Sequence, residues 1–151
     1  MARPCKPEGA NWLTPYLTVS DGERALRFYE RAFGFAPGEL MRTPDGNIGH
    51  AEMRYQDKTV IMFAPEGAWG SEAKTPAHQG AKLPTSLYVY CEDVDALTAR
   101  AKAAGATVTQ EPQDMFWGDR TACFTDPDGY EWMFGTNVGD FDPSKIPQCS
   151  E

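Results

Sequence analysis

The chain has 151 residues, 41% of them hydrophobic and 12% aromatic, enough for one ordinary domain or two small modules packed together. Fourteen Lys and Arg stand against 22 Asp and Glu, a formal net charge of −8, which argues against nucleic acid and anionic membranes as partners, since both require basic patches. No apolar run reaches membrane-spanning length and MARPCKPEGA has no signal-peptide core, so the expectation is a soluble cytoplasmic protein.

After a Pro-rich lead, Trp12–Val19 reads as a strand, with Leu13, Leu17 and Val19 on one face and Trp12, Thr14, Tyr16 and Thr18 on the other. Ser20 followed by Glu23 forms a capping-box pattern that predicts a helix from about Asp21 to Phe33. Ala25, Leu26, Tyr29, Ala32 and Phe33 supply its apolar stripe and Gly34 its stop. A strand at Glu39–Thr43, a Pro44-Asp45-Gly46 turn and a hairpin follow; the hairpin joins Gly49–Tyr55 to Thr59–Ala64 through Gln56-Asp57-Lys58. Residues 65–85 are rich in Pro, Gly and Ala and read as a linker or covering loop, with Trp69 and His78 as candidates to line a site.

The plan then repeats. Ser86–Cys91 is a strand, with Ser86, Tyr88 and Tyr90 on one face. Asp93 or Asp95 caps a helix carrying Val94, Leu97, Ala101 and Ala104 and closed by Gly105, and Ala106–Gln110 is the next strand. The aromatic loop Met115-Phe116-Trp117-Gly118 leads into a second hairpin, Thr121–Thr125 and Glu131–Gly135, around Asp126-Pro127-Asp128-Gly129. Met62 and Met133 lie 71 residues apart, as do Phe63 and Phe134. The predicted fold class is α+β, with two tandem β-α-β-β-β modules, residues 12–64 and 86–136, curving around a cleft. Residues 1–11 and 137–151 are tails. Cys5, Cys91, Cys123 and Cys149 form no C-x-x-C pair and read as free thiols.

This duplicated unit, with V-x-D entering the first helix, A-F-G-F leaving it and D-P-D-G-Y-E-W near the end, resembles the vicinal oxygen chelate superfamily, which includes glyoxalase I, extradiol dioxygenases, methylmalonyl-CoA epimerase and bleomycin-resistance proteins. T-P-Y-L-T-V-S-D-G, I-G-H-A-E-M and F-W-G-D-R are similar to its glyoxalase-like branch related to PhnB. The resemblance implies that metal-dependent members place one ligand on the first and one on the last strand of each module, facing a shared cleft. Registered this way, the four positions hold Thr14, Met62, Ser86 and Met133. Hydroxyls and thioethers are poor ligands for hard divalent ions, so no metal and no cofactor are expected.

His50 and Glu52 share a strand face and remain open to two readings, a hydrogen-bonded structural dyad or a catalytic acid–base or cation-binding pair. With a three-residue loop at Gln56–Lys58, Glu52 opposes Met62. Trp117 either stacks on a planar ligand or anchors its own loop, with Asp119 pairing Arg120, and Cys123 reads as a passive thiol. The projected cleft collects Trp12, Thr14, Tyr16, His50, Glu52, Met62, Ser86, Tyr88, Thr121, Cys123, Glu131 and Met133. Such a surface suits a flat or cationic organic molecule. The expectation is a metal-free small-molecule binding and sequestering protein. The resemblance adds a homodimer. An enzyme of glyoxalase, epimerase or dioxygenase type using His50 and Glu52 is the alternative.

Overall fold

A computed structural model describes residues 3–148, so Cys149 lies outside the described residues. The elements run β1 (Tyr16–Val19), α1 (Gly22–Phe28, continued as a π-helical turn over Tyr29–Phe33), β2 (Ala36–Arg42), β3 (Ile48–Tyr55), β4 (Lys58–Pro65), a 3-10 turn at Ala68–Gly70 and α2 (Pro76–Gln79). Then come β5 (Ser86–Tyr90), α3 (Val94–Ala103), β6 (Thr107–Asp114), β7 (Asp119–Thr125) and β8 (Glu131–Asn137), with a 3-10 turn at Pro143–Lys145. Among the described residues the strands form two four-stranded sheets of orders β1-β4-β3-β2 and β5-β8-β7-β6. In each, the first strand runs parallel to the last, and the equivalent pairs Tyr16–Met62 and Tyr88–Met133 face each other. The duplication therefore extends to strand register.

Several local expectations are corrected. β1 begins at Tyr16, and Trp12 and Leu13 stand exposed before it. Ser20 does not cap α1: the Asp21 carboxylate accepts from the Arg24 N–H at 2.9 Å, while the Ser20 N–H and hydroxyl both donate to Asp128 Oδ1. The first hairpin closes through two residues, Gln56 and Asp57, both at positive φ, so Tyr55 faces Lys58. A bulge between Met53 and Arg54 then restores the expected pairing of Glu52 with Met62. β6 runs four residues beyond its expected end at Gln110, to Asp114.

Both modules bury their apolar faces in one core. Phe33 leaves the helix against Phe134 (ring centroids 4.7 Å apart) and Trp132 (5.1 Å), and Tyr29 packs on Phe63 and Trp132. Gly34 ends the helix at φ 72°, and an added Cβ there would lie 2.8 Å from the Arg100 guanidinium. That guanidinium, reaching over from α3, donates to the carbonyls of Glu30 and Arg31, each at 2.7 Å, satisfying helix-end acceptors that would otherwise need water.

The turn between β7 and β8 ties the halves together. Asp126, 5% exposed, accepts from Tyr29 Oη at 2.7 Å, from Trp132 Nε1 at 3.0 Å and from the backbone N–H groups of Asp128 and Tyr130. Asp128 holds Ser20 and Arg24, and the Tyr130 hydroxyl donates to the Thr18 carbonyl and accepts from the Thr18 N–H. α2 docks on the same turn through the Ala77 N–H, which donates to the Asp128 carbonyl at 2.9 Å, so this part of the linker packs on the latch. Asp126→Ala is expected to cost about 1–3 kcal/mol for each of the two side-chain donors it orphans. Pro127→Ala, at the exposed tip, should cost no more than about 1 kcal/mol. Urea unfolding of the two variants checks this, and equal losses would contradict it.

Candidate functional site

Alternation places the residues opposite the core on two equivalent patches, one per sheet. In the first, Met62 lies between Tyr16 on β1 and Glu52 on β3. The Tyr16 hydroxyl lies 2.8 Å from His50 Nδ1, with the rings 5.5 Å apart. Burial holds the Tyr16 phenol above its ordinary value, and the direction of its hydrogen bond with Nδ1 follows the imidazole tautomer. Glu52 Oε2 accepts from the Thr59 hydroxyl at 3.2 Å. His50 and Glu52 thus each have a local partner.

A groove of about 370 Å³ opens beside this patch, lined by Thr14, Glu52, Thr59 and Met62 on one side and by Pro7–Asn11 on the other. Asn11 Nδ2 donates to the Thr59 carbonyl at 2.6 Å and fixes the lead there. Glu8, Glu39, Glu52 and Asp57 face the groove with Arg54, leaving it acidic. A Gly- and Pro-containing lead carries no periodicity, so its place beside the groove is not legible in the sequence, where residues 1–11 read as a tail. Trp12 itself stands outside the groove, 83% exposed, with Lys6 Nζ 5.2 Å from its ring centre. Trp69 sits beside Gly49 on β3 with a left-handed backbone, φ 57°. His78 instead pairs with Glu66 at 3.0 Å in the linker.

In the second patch Met133 lies between Tyr88 and Cys123, and Ser86 faces Glu131. At its end lies a buried carboxylate, Asp119, whose partners differ from the expected one. Asp119 does not pair with Arg120, which binds Asp95 and Asp114. Asp119, 2% exposed, accepts from Tyr88 Oη at 2.7 Å, Tyr90 Oη at 2.8 Å, Trp117 Nε1 at 3.2 Å and Asn137 Nδ2 at 3.0 Å. The missed signal was strand parity, which puts Asp119, Thr121 and Cys123 on one face and Arg120 on the other. Gly135 is part of the same arrangement, because a Cβ there would lie 2.7 Å from the Tyr88 hydroxyl. Trp117 is therefore held by its own loop's carboxylate while its ring remains half-exposed. Thr121 is fully buried, its hydroxyl accepting from Gln110 Nε2, and does not offer a ligand contact.

The electrostatics follow from these contacts. Burial works to raise the Asp119 carboxyl, but donors from Asn137, Tyr88, Tyr90 and Trp117 outweigh it and hold the group below its ordinary value. Tyr88 is pushed up to about 12, first by burial and then by the carboxylate it donates to, against the pull of Trp117. Burial and then Glu131 raise the Cys123 thiol, so it is not an activated nucleophile. Thr14, Met62, Ser86 and Met133 offer two hydroxyls and two thioethers, a donor set that does not fit a hard divalent ion. Among the described residues no three His, Cys, Asp or Glu side chains group closely enough to hold a metal ion, and no helix is long and apolar enough to cross a membrane. The residues projected onto one cleft form two patches in the single chain. Tyr16, Tyr88 and Tyr90 are 53%, 41% and 60% exposed, and β5 presents its free edge to Pro15, Val60 and Ile61 across a cavity of about 360 Å³.

Asp119→Asn sets an amide N–H₂ among four donors and should cost about 1–3 kcal/mol at neutral pH. Because the folded carboxyl is depressed, its stabilisation is fully present above the unfolded value of about 3.9 and is lost as pH falls through the lower folded value. The stability gap between wild type and variant, measured by urea unfolding from pH 7 down to the acid limb, should therefore close on the acid side. A gap that stays constant would contradict the ionised cage.

The family model described as Glyoxalase/Bleomycin resistance protein/Dioxygenase superfamily matches residues 9–134. An uncharacterized protein of Mycobacterium bovis is 35% identical over 136 residues, covering 89% of this chain and 88% of that one. A probable chloroplastic lactoylglutathione lyase of Arabidopsis thaliana is 30% identical over 135 residues, covering 81% of this chain but 34% of that protein. Among solved structures, TioX from Micromonospora sp. ML1 superposes with a TM-score of 0.65 at 28% identity, covering 85% of this chain and 100% of the other. A glyoxalase I mutant from Zea mays shares the fold at a TM-score of 0.60 and 23% identity, covering 81% of this chain and 45% of that one. With the repeated register of its two modules and a family match across most of its length, the chain belongs to the glyoxalase/bleomycin resistance protein/dioxygenase superfamily.

Proposed function

We propose that this chain binds and sequesters a flat, positively charged organic molecule, without a metal, as a cytoplasmic homodimer. The observation that carries the reading is the matched make-up of the two patches: Tyr16 and Met62 with Glu52, and Tyr88 and Met133 with Glu131 nearby. Phenol faces and thioethers give polarisable contact area to a planar guest, and a carboxylate beside them favours a cation. The acidic groove under Pro7–Asn11 adds Glu8, Glu39 and Asp57 to that field. Two half-sites with exposed tyrosines on one chain support a cleft completed by a second copy, which would cover both patches.

A second reading, acid–base catalysis, is favoured by the Tyr16–His50 hydrogen bond and by the likeness to the probable lactoylglutathione lyase. It would use His50 to move a proton and Glu52 to orient substrate. Burial raises the Cys91 and Cys123 thiols, so neither adds an activated nucleophile, and binding is the simpler use of the surface.

Titrating tryptophan fluorescence with flat aromatic cations, with neutral isosteres beside them, tests the proposal. Saturable quenching by the cations is expected, weakened roughly threefold to tenfold by Glu52→Gln and more strongly by Tyr88→Ala. A flat response across cations, or equal affinity for the neutral isosteres, would contradict it.

A further inference from the structure

In a chain of net charge −8, a groove lined by three arginines and no carboxylate stands out. One occurs on the helical side of the molecule, away from both sheet patches. Arg24, Arg27 and Arg31 follow one another at three- and four-residue spacings, so α1 and its π-helical extension present them along one face. With Phe28 as floor, the end of α3 at Ala104 as one wall and Pro127 as another, they line a groove of about 280 Å³ into which no Asp or Glu side chain is brought.

The three guanidinium groups are only lightly engaged. Arg31 makes no side-chain hydrogen bond or ion pair among the described residues, although its carbonyl is taken by Arg100. Arg27 has one partner, Glu23, at 3.9 Å across an exposed surface, a contact of little energetic weight. Arg24 spends Nη2 on Asp128 and Ser20, which fixes the guanidinium plane and leaves its remaining N–H groups for another acceptor. Guanidinium forks match the oxygens of a phosphate group, and two or three of them neutralise a multiply charged one. The volume suits a phosphate ester up to about mononucleotide size, with the apolar part of the ester against Phe28, Ala104 and Pro127.

We propose that this groove is a second binding site, for a small phosphate-bearing metabolite, independent of the sheet patches. The overall negative charge opposes an anion at long range, so binding depends on the local cluster and weakens as salt screens it. Calorimetric titration with inorganic pyrophosphate and, separately, adenosine monophosphate tests this at about 20 mM and about 300 mM salt. Saturable binding at low salt is expected, at least roughly tenfold weaker at high salt and in Arg27→Glu/Arg31→Glu. Preference for pyrophosphate would mean that charge alone is read, and preference for the nucleotide that the apolar walls contribute. Circular dichroism checks that the double variant folds; if it does not, Arg31→Ala carries the test, since that side chain holds no partner among the described residues and its loss should still weaken binding. Cation titration of the sheet patches should be unchanged in these variants, which separates failure here from failure of the proposed main function. No saturable binding of either probe to wild type, or undiminished binding to the folded arginine variants, would overturn the proposal.

Discussion

The buried carboxylate of Asp126 is the contact on which the arrangement of the two modules depends. It takes one hydrogen bond from Tyr29 of the first module and one from Trp132 of the second, and two more from its own turn. Burial raises its pKa, against the pull of the Trp132 and Tyr29 donors, so loss of either donor would raise it further. The same turn carries Asp128 and Tyr130 to Ser20, Arg24 and Thr18, which fixes β1 and the start of α1 relative to β8. The D-P-D-G-Y segment is thus structural in this chain, and the proposed binding surface lies on the opposite faces of the sheets.

Those faces are quasi-equivalent, and their differences are informative. Where the first patch has His50 and Glu52 beside Met62, the second has Thr121 and Cys123 beside Met133. One patch therefore carries Glu52 and an imidazole; the other carries Glu131 and phenols locked to the buried Asp119 carboxylate. A guest spanning two such surfaces would meet a charged end and an aromatic end. That asymmetry is consistent with the amphipathic cation proposed as the guest.

Much of the fold was legible because its signals are periodic. Leu17, Val19, Tyr29, Phe33, Trp132 and Phe134 fall on core faces by simple alternation or helical spacing, and all are buried. The pairing of Glu52 with Met62 was also reached, though through a three-residue loop that does not exist; the Met53–Arg54 bulge cancels the error. What escaped were contacts between residues distant in sequence. Ser20 has the right spacing for a capping box, but Asp128, 108 positions away, offers it a better acceptor. Asp119 stands beside Arg120, yet adjacent strand residues point to opposite faces, and its partners come from β5 and β8. The lead's place over the acidic groove rests on an Asn11 hydrogen bond to a β4 carbonyl, which no local pattern announces.

The proposed role of the two sheet faces is an organic binding surface, with Thr14, Met62, Ser86 and Met133 at the positions where the resemblance implies metal ligands. Elemental analysis of protein purified without chelator, alongside His50→Ala, tests it most directly. The account predicts only trace transition metal, indifferent to the substitution. A stoichiometric ion in the wild type that disappears with His50 would contradict it.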